Sequence, residues 1–369
     1  MRILAINNSF WNFYNFRMNL LSQIKNNIDC DIHLVAPEDQ YFNKINGGYL
    51  LHKLEFNSSN TNPFNELLLI VKLRSLINKI KPDIILSFTI KPNIYAGILA
   101  KKIKLPIINN ISGLGTVFIK KNFLTKVVHF LYKKSFSEYN YIFFQNSYDM
   151  EEFKKMRLLN RAEYEVIPGS GIDTAKWKNE ENASINKGKT ILFCARLIKD
   201  KGIVEYLKAA DKLKTIYPDI SFNIAGKLGV DNKTSINKKL LDDYINRKII
   251  NYLGESKNMK DLLIQHDIAV LPSYREGMSR FLLESASMQR PIITTDVPGC
   301  REIVKDSFNG FLCKPKDYED LANKIENMIN ISEGERIEFG NNGRKLIIEN
   351  FEENIVINKY IEIIKKICN

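Results

Sequence analysis

The sequence predicts an α/β protein made of two doubly wound parallel sheets, and three observations carry that expectation. Short apolar runs of strand length alternate with amphipathic stretches of helix length along nearly the whole chain. The alternation breaks once, at a segment from Pro168 to Gly188 rich in Gly, Asn, Lys and Glu, and then resumes. At 369 residues the chain is too long for one ordinary core and about right for two domains.

In chain order, RILAI (2–6) predicts a buried first strand. The opening MRILAINNSF reads as that strand and not as a secretory leader, because it has no long apolar core. A helical stretch, FRMNLLSQIKNN, leads to a second strand, DIHLVAP (31–37). A helix near 64–80, strand DIILSF (83–88), a helix at 93–103, strand PIINNI (106–111) and a helix at 122–137 follow. YIFFQN (141–146) and EYEVIP (163–168) complete the first half. The second half begins at TILFCA (190–195) and continues with a helix at 202–216, SFNIAG (221–226), a helix at 235–247 and NYLG (251–254). Strands DIAVLP (267–272), PIITTD (291–296) and GFLC (310–313) follow, then a helix at 317–330 and a helical run to about 349. The last segment, FEENIVINKYIEIIKKICN, is an amphipathic helix.

Composition bounds the class. A hydrophobic fraction of 44% with 26% charged residues is that of a soluble globular protein. No apolar run approaches the roughly 20 residues that span a bilayer, so a soluble or peripheral protein is expected. The net charge of +12 sits mostly in residues 1–167, which hold 22 Lys and Arg against 13 Asp and Glu; the remainder holds 32 against 29. Such an excess suits nucleic acid, an anionic membrane surface or a phosphorylated substrate. No nucleic-acid motif accompanies it. The five cysteines, Cys30, Cys194, Cys300, Cys313 and Cys368, are scattered without a C-x-x-C pair, which suggests reduced thiols and a cytoplasmic location.

The stretch from Ser273 to Arg301, SYREGMSRFLLESASMQRPIITTDVPGCR, carries the chemistry. It lies between two strands, so its loop sits at the carboxyl edge of a parallel sheet, where ligands gather. Glu276 is in that loop and Glu284 is eight positions on, inside the following helix. Ser279 is placed to cap the helix, leaving the N–H groups of Gly277 to Phe281 free at the positive end of its dipole. Gly277 lets the backbone approach a ligand closely, and a phosphate or sugar oxygen suits this end. Eight helical residues advance about 12 Å, roughly the span from a sugar to a ribose across a pyrophosphate. Helical side chains lean towards the N-terminus, so Glu284 is expected to reach back to the same cleft. Two carboxylates repel a pyrophosphate, so their expected task is to accept hydrogen bonds from hydroxyls. Hydroxyls at both ends and phosphates between them describe a nucleotide sugar. Upstream, ARLIKDKG (195–202) places Arg196 and Lys201 after a strand, either as a pyrophosphate clamp or as solvated loop charges.

E-x7-E followed by RPIITTDVPGCREIV and NGFL resembles the retaining glycosyltransferases of family 4, nearest the branch that builds capsule, O-antigen and related surface glycans. The resemblance implies the GT-B fold: two Rossmann-like doubly wound domains facing each other across a cleft. It implies an acceptor domain at 1–168, with the helix 351–369 packing back on it, and a donor domain at 169–350. It implies that Arg196 and Lys201 hold the donor diphosphate, that Glu284 takes the ribose hydroxyls and that Glu276 takes the donor sugar. Gly277, Met278 and Ser279 then complete the donor loop. Gly226 and Lys227 of AGK (225–227), and Gly254 near the base, resemble further donor positions, with simple turn glycines as the alternative.

In the first half, Arg17 and Lys91 resemble basic positions that face the acceptor, although IKPN reads equally as a loop with a solvated lysine. ISGLGTVF (111–118) resembles a segment that commonly reads HGLG. Ser112 stands where His is frequent, which sets aside a general-base role there, while Gly113 and Gly115 still allow close approach. The implied reaction moves a hexose or N-acetylhexosamine, with retention, from a UDP-sugar to a lipid-linked oligosaccharide. The leaving diphosphate is met by cations and helix amides, so neither metal nor cofactor is expected. Asp29-Cys30-Asp31 reads as turn chemistry and not as a metal site. His33, His52, His129 and His266 have no metal-ligand spacing. FIKKNFLTKVVHFLYKKSF (118–136) interleaves Lys120, Lys121, Lys126, Lys133 and Lys134 with apolar residues, which suits either a core helix with a basic face or peripheral contact with the inner leaflet. Two other classes compete: a nucleotide-sugar epimerase of the same fold, disfavoured by the few histidines, and a non-enzymatic basic module.

Overall fold

The computed structural model describes residues 1–55, 62–114, 123–179, 188–256 and 258–368. The chain divides into two compact units, Met1–Ser170 with Asn354–Asn369, and Gly171–Glu353.

The first unit holds β1 (Arg2–Ile6), α1 (Phe10–Phe16), α2 (Met18–Asn27), β2 (Asp31–Ala36), β3 (Leu50–Lys53), α3 (Pro63–Ile80), β4 (Ile84–Phe88) and α4 (Ile90–Ile103). It continues with β5 (Ile107–Ile111), α5 (Phe123–Ser135), β6 (Asn140–Phe144), α6 (Ser147–Lys155) and β7 (Glu163–Val166). Its seven strands run parallel in the order β3-β2-β1-β4-β5-β6-β7. Every residue of β4, β5 and β6 is buried, as befits strands covered by helices on both faces. The two asparagines in β5 satisfy the demand for partners that burial imposes. Asn109 accepts from Asn140 at 2.8 Å, and Asn110 accepts from Gln145 at 3.1 Å and donates to the Tyr360 hydroxyl at 2.9 Å.

Tyr360 belongs to α13 (Glu353–Cys368), the amphipathic terminal helix. Its apolar stripe of Val356, Ile357, Tyr360, Ile363 and Ile364 enters one core with Ile3, Phe13, Ile32, Leu86, Phe88 and Phe143. The Tyr360 and Phe143 ring centroids are 4.7 Å apart.

The second unit holds β8 (Thr190–Cys194), α7 (Ile203–Ile216), β9 (Ser221–Ala225), α8 (Lys238–Asn246), β10 (Asn251–Tyr252), α9 (Met259–Ile264), β11 (Ile268–Leu271) and α10 (Arg280–Ser287). β12 (Ile292–Thr295), β13 (Gly310–Cys313), α11 (Tyr318–Asn330) and α12 (Glu333–Asn350) complete it. Its six parallel strands run β10-β9-β8-β11-β12-β13. From β8 the chain winds first to one side and then, from β11, to the other. The carboxyl ends of β8 and β11 therefore flank the crevice where such sheets bind ligands, as those of β1 and β4 do in the first unit.

Several expectations need correction. β3 was not expected, because its burial pattern is too exposed to give an apolar run. α4 begins at Ile90 and not at 93, so Lys91 and Pro92 occupy a first helical turn, where Pro lacks no needed donor. α9 was missed because it is one and a half turns long. The segment read as a linker is tied down over Gly171–Asn179. Ile172 pairs with Glu352, Arg344 donates to the carbonyls of Thr174 at 2.8 Å and Trp177 at 2.6 Å, and Ser287 donates to Trp177 at 2.6 Å. Residues 180–187, at the centre of that segment, lie outside the described residues, as do Gly115, Lys120 and Lys121. Among the described residues no helix is long and apolar enough to cross a membrane. All five cysteines are free thiols.

Replacing Tyr360 with Ala removes a fully buried aromatic and strands Asn110, so the expected loss is about 3–5 kcal/mol, concentrated in the first unit. Urea unfolding followed by aromatic fluorescence checks this, and Tyr360→Phe is expected to lose only about 1–3 kcal/mol through the unpaired amide.

Candidate active site

The site is built on the crevice between β8 and β11. The chain leaves β8 through Ala195 and Arg196 and turns through a short 3-10 segment, Lys199–Lys201, into α7. It leaves β11 through Pro272 and the loop 273–279, then enters α10. The two exits are stitched together by Tyr274 N–H and the Ser273 hydroxyl, both donating to the Asp200 carbonyl, at 2.9 and 3.2 Å. This brings Lys201 onto Glu276: Nζ and Oε1 are 2.5 Å apart, with the side chains 20% and 10% exposed. A largely buried lysine cancels the carboxylate's charge, so a phosphate approaching this loop meets a near-neutral pair and not a bare anion. Breaking such a pair by removing one partner costs roughly 3–5 kcal/mol.

The Glu276 backbone is held from beneath. Its N–H donates to the Pro298 carbonyl at 3.1 Å, and Gly299 lies so close that a Cβ there stands 2.5 Å from the Glu276 carbonyl oxygen. Gly299 has φ +81°, so any side chain is excluded twice over. Glu302 accepts from the Gly299 N–H at 2.6 Å. Neither residue was singled out from sequence; a Pro-Gly pair after a strand is the signal that marks such a turn.

Ser279 caps α10 as expected, accepting from Leu282 N–H at 3.5 Å. The expectation of a run of free amides at this helix start is corrected at Ser279 itself, whose N–H donates to the Gly299 carbonyl at 3.2 Å. Gly277 is buried, and Met278 packs half-buried against the core.

Glu284 lies one helical turn further and is buried. Its Oε1 accepts from Arg280 Nε at 2.8 Å, and Arg280 Nη1 donates to the Gly171 carbonyl at 2.6 Å. Arg280, unassigned from sequence, sits at i−4 to Glu284, the spacing of a helical ion pair. Burial pushes the Glu284 carboxyl above its ordinary 4.5, while Arg280 and Lys176 pull it back. The Glu284 charge is also felt by Cys194, the last residue of β8, whose thiol burial pushes up to about 12.

Arg196 is exposed, and no ion pair engages it among the described residues. The backbone around it is fixed: Leu197 N–H donates to the Lys227 carbonyl at 3.1 Å, which sets Arg196 beside exposed Lys227. Gly226 is required there, since a Cβ stands 1.8 Å from the Ala195 carbonyl oxygen. Gly226 N–H donates to Gly254 at 2.7 Å, so both predicted glycines meet at the tips of β9 and β10. Behind the crevice, the Tyr274 hydroxyl donates to Glu205 at 2.7 Å, and one carboxylate oxygen each of Asp200 and Glu205 is buried without a partner among the described residues.

In the first unit, Arg17 is buried with its guanidinium 4.5 Å from the centre of the Phe88 ring, at the end of β4. Lys91 donates to Glu66 at 2.6 Å, with both side chains under a fifth exposed. Its charge is thus engaged by α3, which the reading as a solvated loop lysine did not foresee. Ser112 is exposed after β5, and Gly113 adopts φ +112°. Asp29 and Asp31 lie at the amino end of β2, away from the ligand edge of the sheet. Among the described residues no group of three or more His, Cys, Asp or Glu converges as a metal site.

The family model for group 1 glycosyl transferases matches residues 175–346, and that for glycosyl transferase 4-like domains matches 2–146. N,N'-diacetylbacillosaminyl-diphospho-undecaprenol alpha-1,3-N-acetylgalactosaminyltransferase of Campylobacter jejuni is 28% identical over 100% of this chain and 99% of its own. UDP-Gal:alpha-D-GlcNAc-diphosphoundecaprenol alpha-1,3-galactosyltransferase of Escherichia coli is 25% identical over 69% of this chain and 68% of its own. Among solved structures, Anabaena HepE with UDP and glucose superposes with a TM-score of 0.80 at 17% identity, over 99% of this chain and 100% of that one. Sucrose-phosphate synthase from Thermosynechococcus elongatus gives 0.80 at 13%, over 99% and 98%. These structures share the fold. The chain belongs to the group 1, family 4-like glycosyltransferases and is a glycosyltransferase with the GT-B fold.

Proposed function

We propose that the enzyme moves a hexose or N-acetylhexosamine, with retention, from a UDP-sugar to a polyprenyl-diphosphate-linked glycan in surface-polysaccharide synthesis. The observation that carries the donor half is the Lys201–Glu276 pair at the β8–β11 crevice with exposed Arg196 beside it. The acceptor half rests on the names of the Campylobacter and Escherichia coli relatives, both of which specify diphospho-undecaprenol acceptors.

The diphosphate lies against Arg196, Lys201 and the start of α10. Glu276 accepts from donor-sugar hydroxyls and faces the positive charge that develops at the anomeric carbon. Glu284 takes the ribose hydroxyls with the lone pairs that Arg280 leaves open. Gly226, Lys227 and Gly254 border the nucleotide, and Gly277, Met278 and Ser279 form the loop beneath the sugar. The bond from the anomeric carbon to the diphosphate oxygen breaks as the acceptor hydroxyl oxygen bonds to the same face of that carbon. The hydroxyl proton passes to the departing diphosphate, whose charge Arg196 and Lys201 stabilise. Arg17, Lys91, Ser112 and Gly113 belong to the acceptor side. No resident metal or cofactor takes part, and peripheral contact with the inner leaflet brings the acceptor within reach. Exposed Phe130, Lys126, Lys133 and Lys134 on α5 support that contact.

Arg196→Ala is expected to lower turnover by about two orders of magnitude, or about 3 kcal/mol, as for loss of one transition-state charge contact. Nucleotide release from a panel of UDP-, GDP- and TDP-sugars measures this and identifies the donor; near-normal release by the variant contradicts the clamp. Turnover is expected to survive EDTA, and its abolition, restored by a divalent cation, would establish a metal.

Glu284 gives a pH signature. The folded state holds its proton to higher pH than the unfolded chain, so its contribution is lost as pH rises above 4.5. Relative to Glu284→Gln, the wild-type unfolding midpoint is therefore expected to fall as pH climbs above 4.5. Parallel profiles would show that the carboxyl is not raised.

A further inference from the structure

Helix α3 has two apolar faces. One is the core face, where Leu69, Leu73, Ile77 and Ile80 are 5% exposed or less. The other points away from it: Phe64 is 83% exposed, Leu67 61%, Leu68 53% and Val71 56%. Their i, i+3, i+4, i+7 spacing makes one continuous stripe on the solvent side. A helix that serves only to cover a sheet carries polar residues there. At about 100° per residue, Lys72 and Arg74 fall on opposite flanks of the stripe, and Lys79 continues the Lys72 flank about two turns on. All three cations are exposed. The one acid of the helix, Glu66, is turned aside to Lys91 and Tyr95.

The pattern extends to the neighbouring helices of the same layer. α4 packs against both α3 and α5, and its end shows Ile103 51% exposed among exposed Lys101, Lys102 and Lys104. α5 shows Phe130 58% exposed with Lys134 Nζ 5.5 Å from its ring centre. Together the three helices hold nine Lys and Arg against Glu66 alone. Exposed Asp83, three residues past the end of α3, and exposed Glu138, three past the end of α5, are the nearest acids along the chain. An apolar stripe bracketed by cations, on a face with almost no carboxylate, complements an interface that is apolar below and anionic above. The stripe occupies the first half of α3. That half lies at the carboxyl edge of the sheet, since the helices of a parallel sheet start where the preceding strands end.

We infer that the outer face of α3 is the surface by which the enzyme docks on an anionic bilayer, with Phe64, Leu67, Leu68 and Val71 entering the acyl boundary and Lys72, Arg74 and Lys79 on the headgroups. This rests on the proposed peripheral contact and relocates its apolar part from α5 to α3. α5 supplies charge and one aromatic; α3 supplies the insertion. Because the insertion sits at the ligand edge, docking holds that edge at headgroup level, where a lipid-borne diphosphate lies.

The test is flotation of the full-length enzyme with phosphatidylglycerol–phosphatidylcholine vesicles and with phosphatidylcholine alone. Wild type is expected to float with the anionic vesicles. Leu67→Glu with Val71→Glu, both at exposed positions, is expected to lose about tenfold or more in partition while UDP affinity stays unchanged. Lys72→Gln with Arg74→Gln is expected to lose binding to the anionic vesicles only. Equal flotation of the double-Glu variant and wild type overturns the assignment to α3 and leaves a lipid contact elsewhere. Failure of wild type to float overturns both this inference and the peripheral contact, while nucleotide release from a UDP-sugar still reports on the transferase. A wild-type dimer that the double-Glu variant converts to a monomer, with flotation retained, makes the face a contact between copies and likewise overturns it.

Discussion

In the second unit each of the two acids at the β8–β11 crevice is paired with a cation, and the proposed binding of an anionic donor there depends on that pairing. Glu276 is neutralised by Lys201 and Glu284 by Arg280, so neither presents a bare charge to a diphosphate. Arg196 is left exposed, and on the proposed reading it adds positive charge for the diphosphate. The arrangement is not favourable for stability in itself. Two buried ion pairs recover little beyond their desolvation, and the raised carboxyl of Glu284 records that cost.

The strand order makes this crevice available. In an all-parallel sheet the loops from every strand leave at one edge, and only where the winding reverses do two neighbouring loops diverge enough to admit a ligand. β8 and β11 are that pair, and the carbonyl of Asp200 ties their exits to each other. Gly226 and Gly299 then bring backbone to within van der Waals contact where any side chain intrudes. The terminal helix α13, by contrast, is positioned by bulk: its apolar stripe closes the core of the first unit around Tyr360.

The sequence made the strands and most helices legible because buried parallel strands are nearly continuous apolar runs, such as IILSF and TILFC. It missed β3, whose residues are half-exposed, and α9, which is too short for a helical period. The division between the units falls at Ser170/Gly171, inside the segment read as a connector. The stretch just after it is nevertheless bound into the second unit by Arg344 and Ser287, whose contacts to backbone carbonyls leave no trace in residue type. The E-x7-E spacing placed both acids at one crevice, but not their partners. Lys201 is 75 positions from Glu276, a distance that only the fold closes. Arg280 was within reach as an i−4 neighbour. The outward stripe of α3 was hidden within an ordinary amphipathic reading, since periodicity does not say which of two apolar faces meets the core.

The proposed transfer depends on the diphosphate lying between the exits of β8 and β11. Hydrogen–deuterium exchange with and without UDP measures that placement directly. Protection is expected over residues 195–203 and 274–284, with the first unit unchanged by UDP alone. Protection confined to the first unit, or absent from both of these segments at saturating UDP, would contradict it.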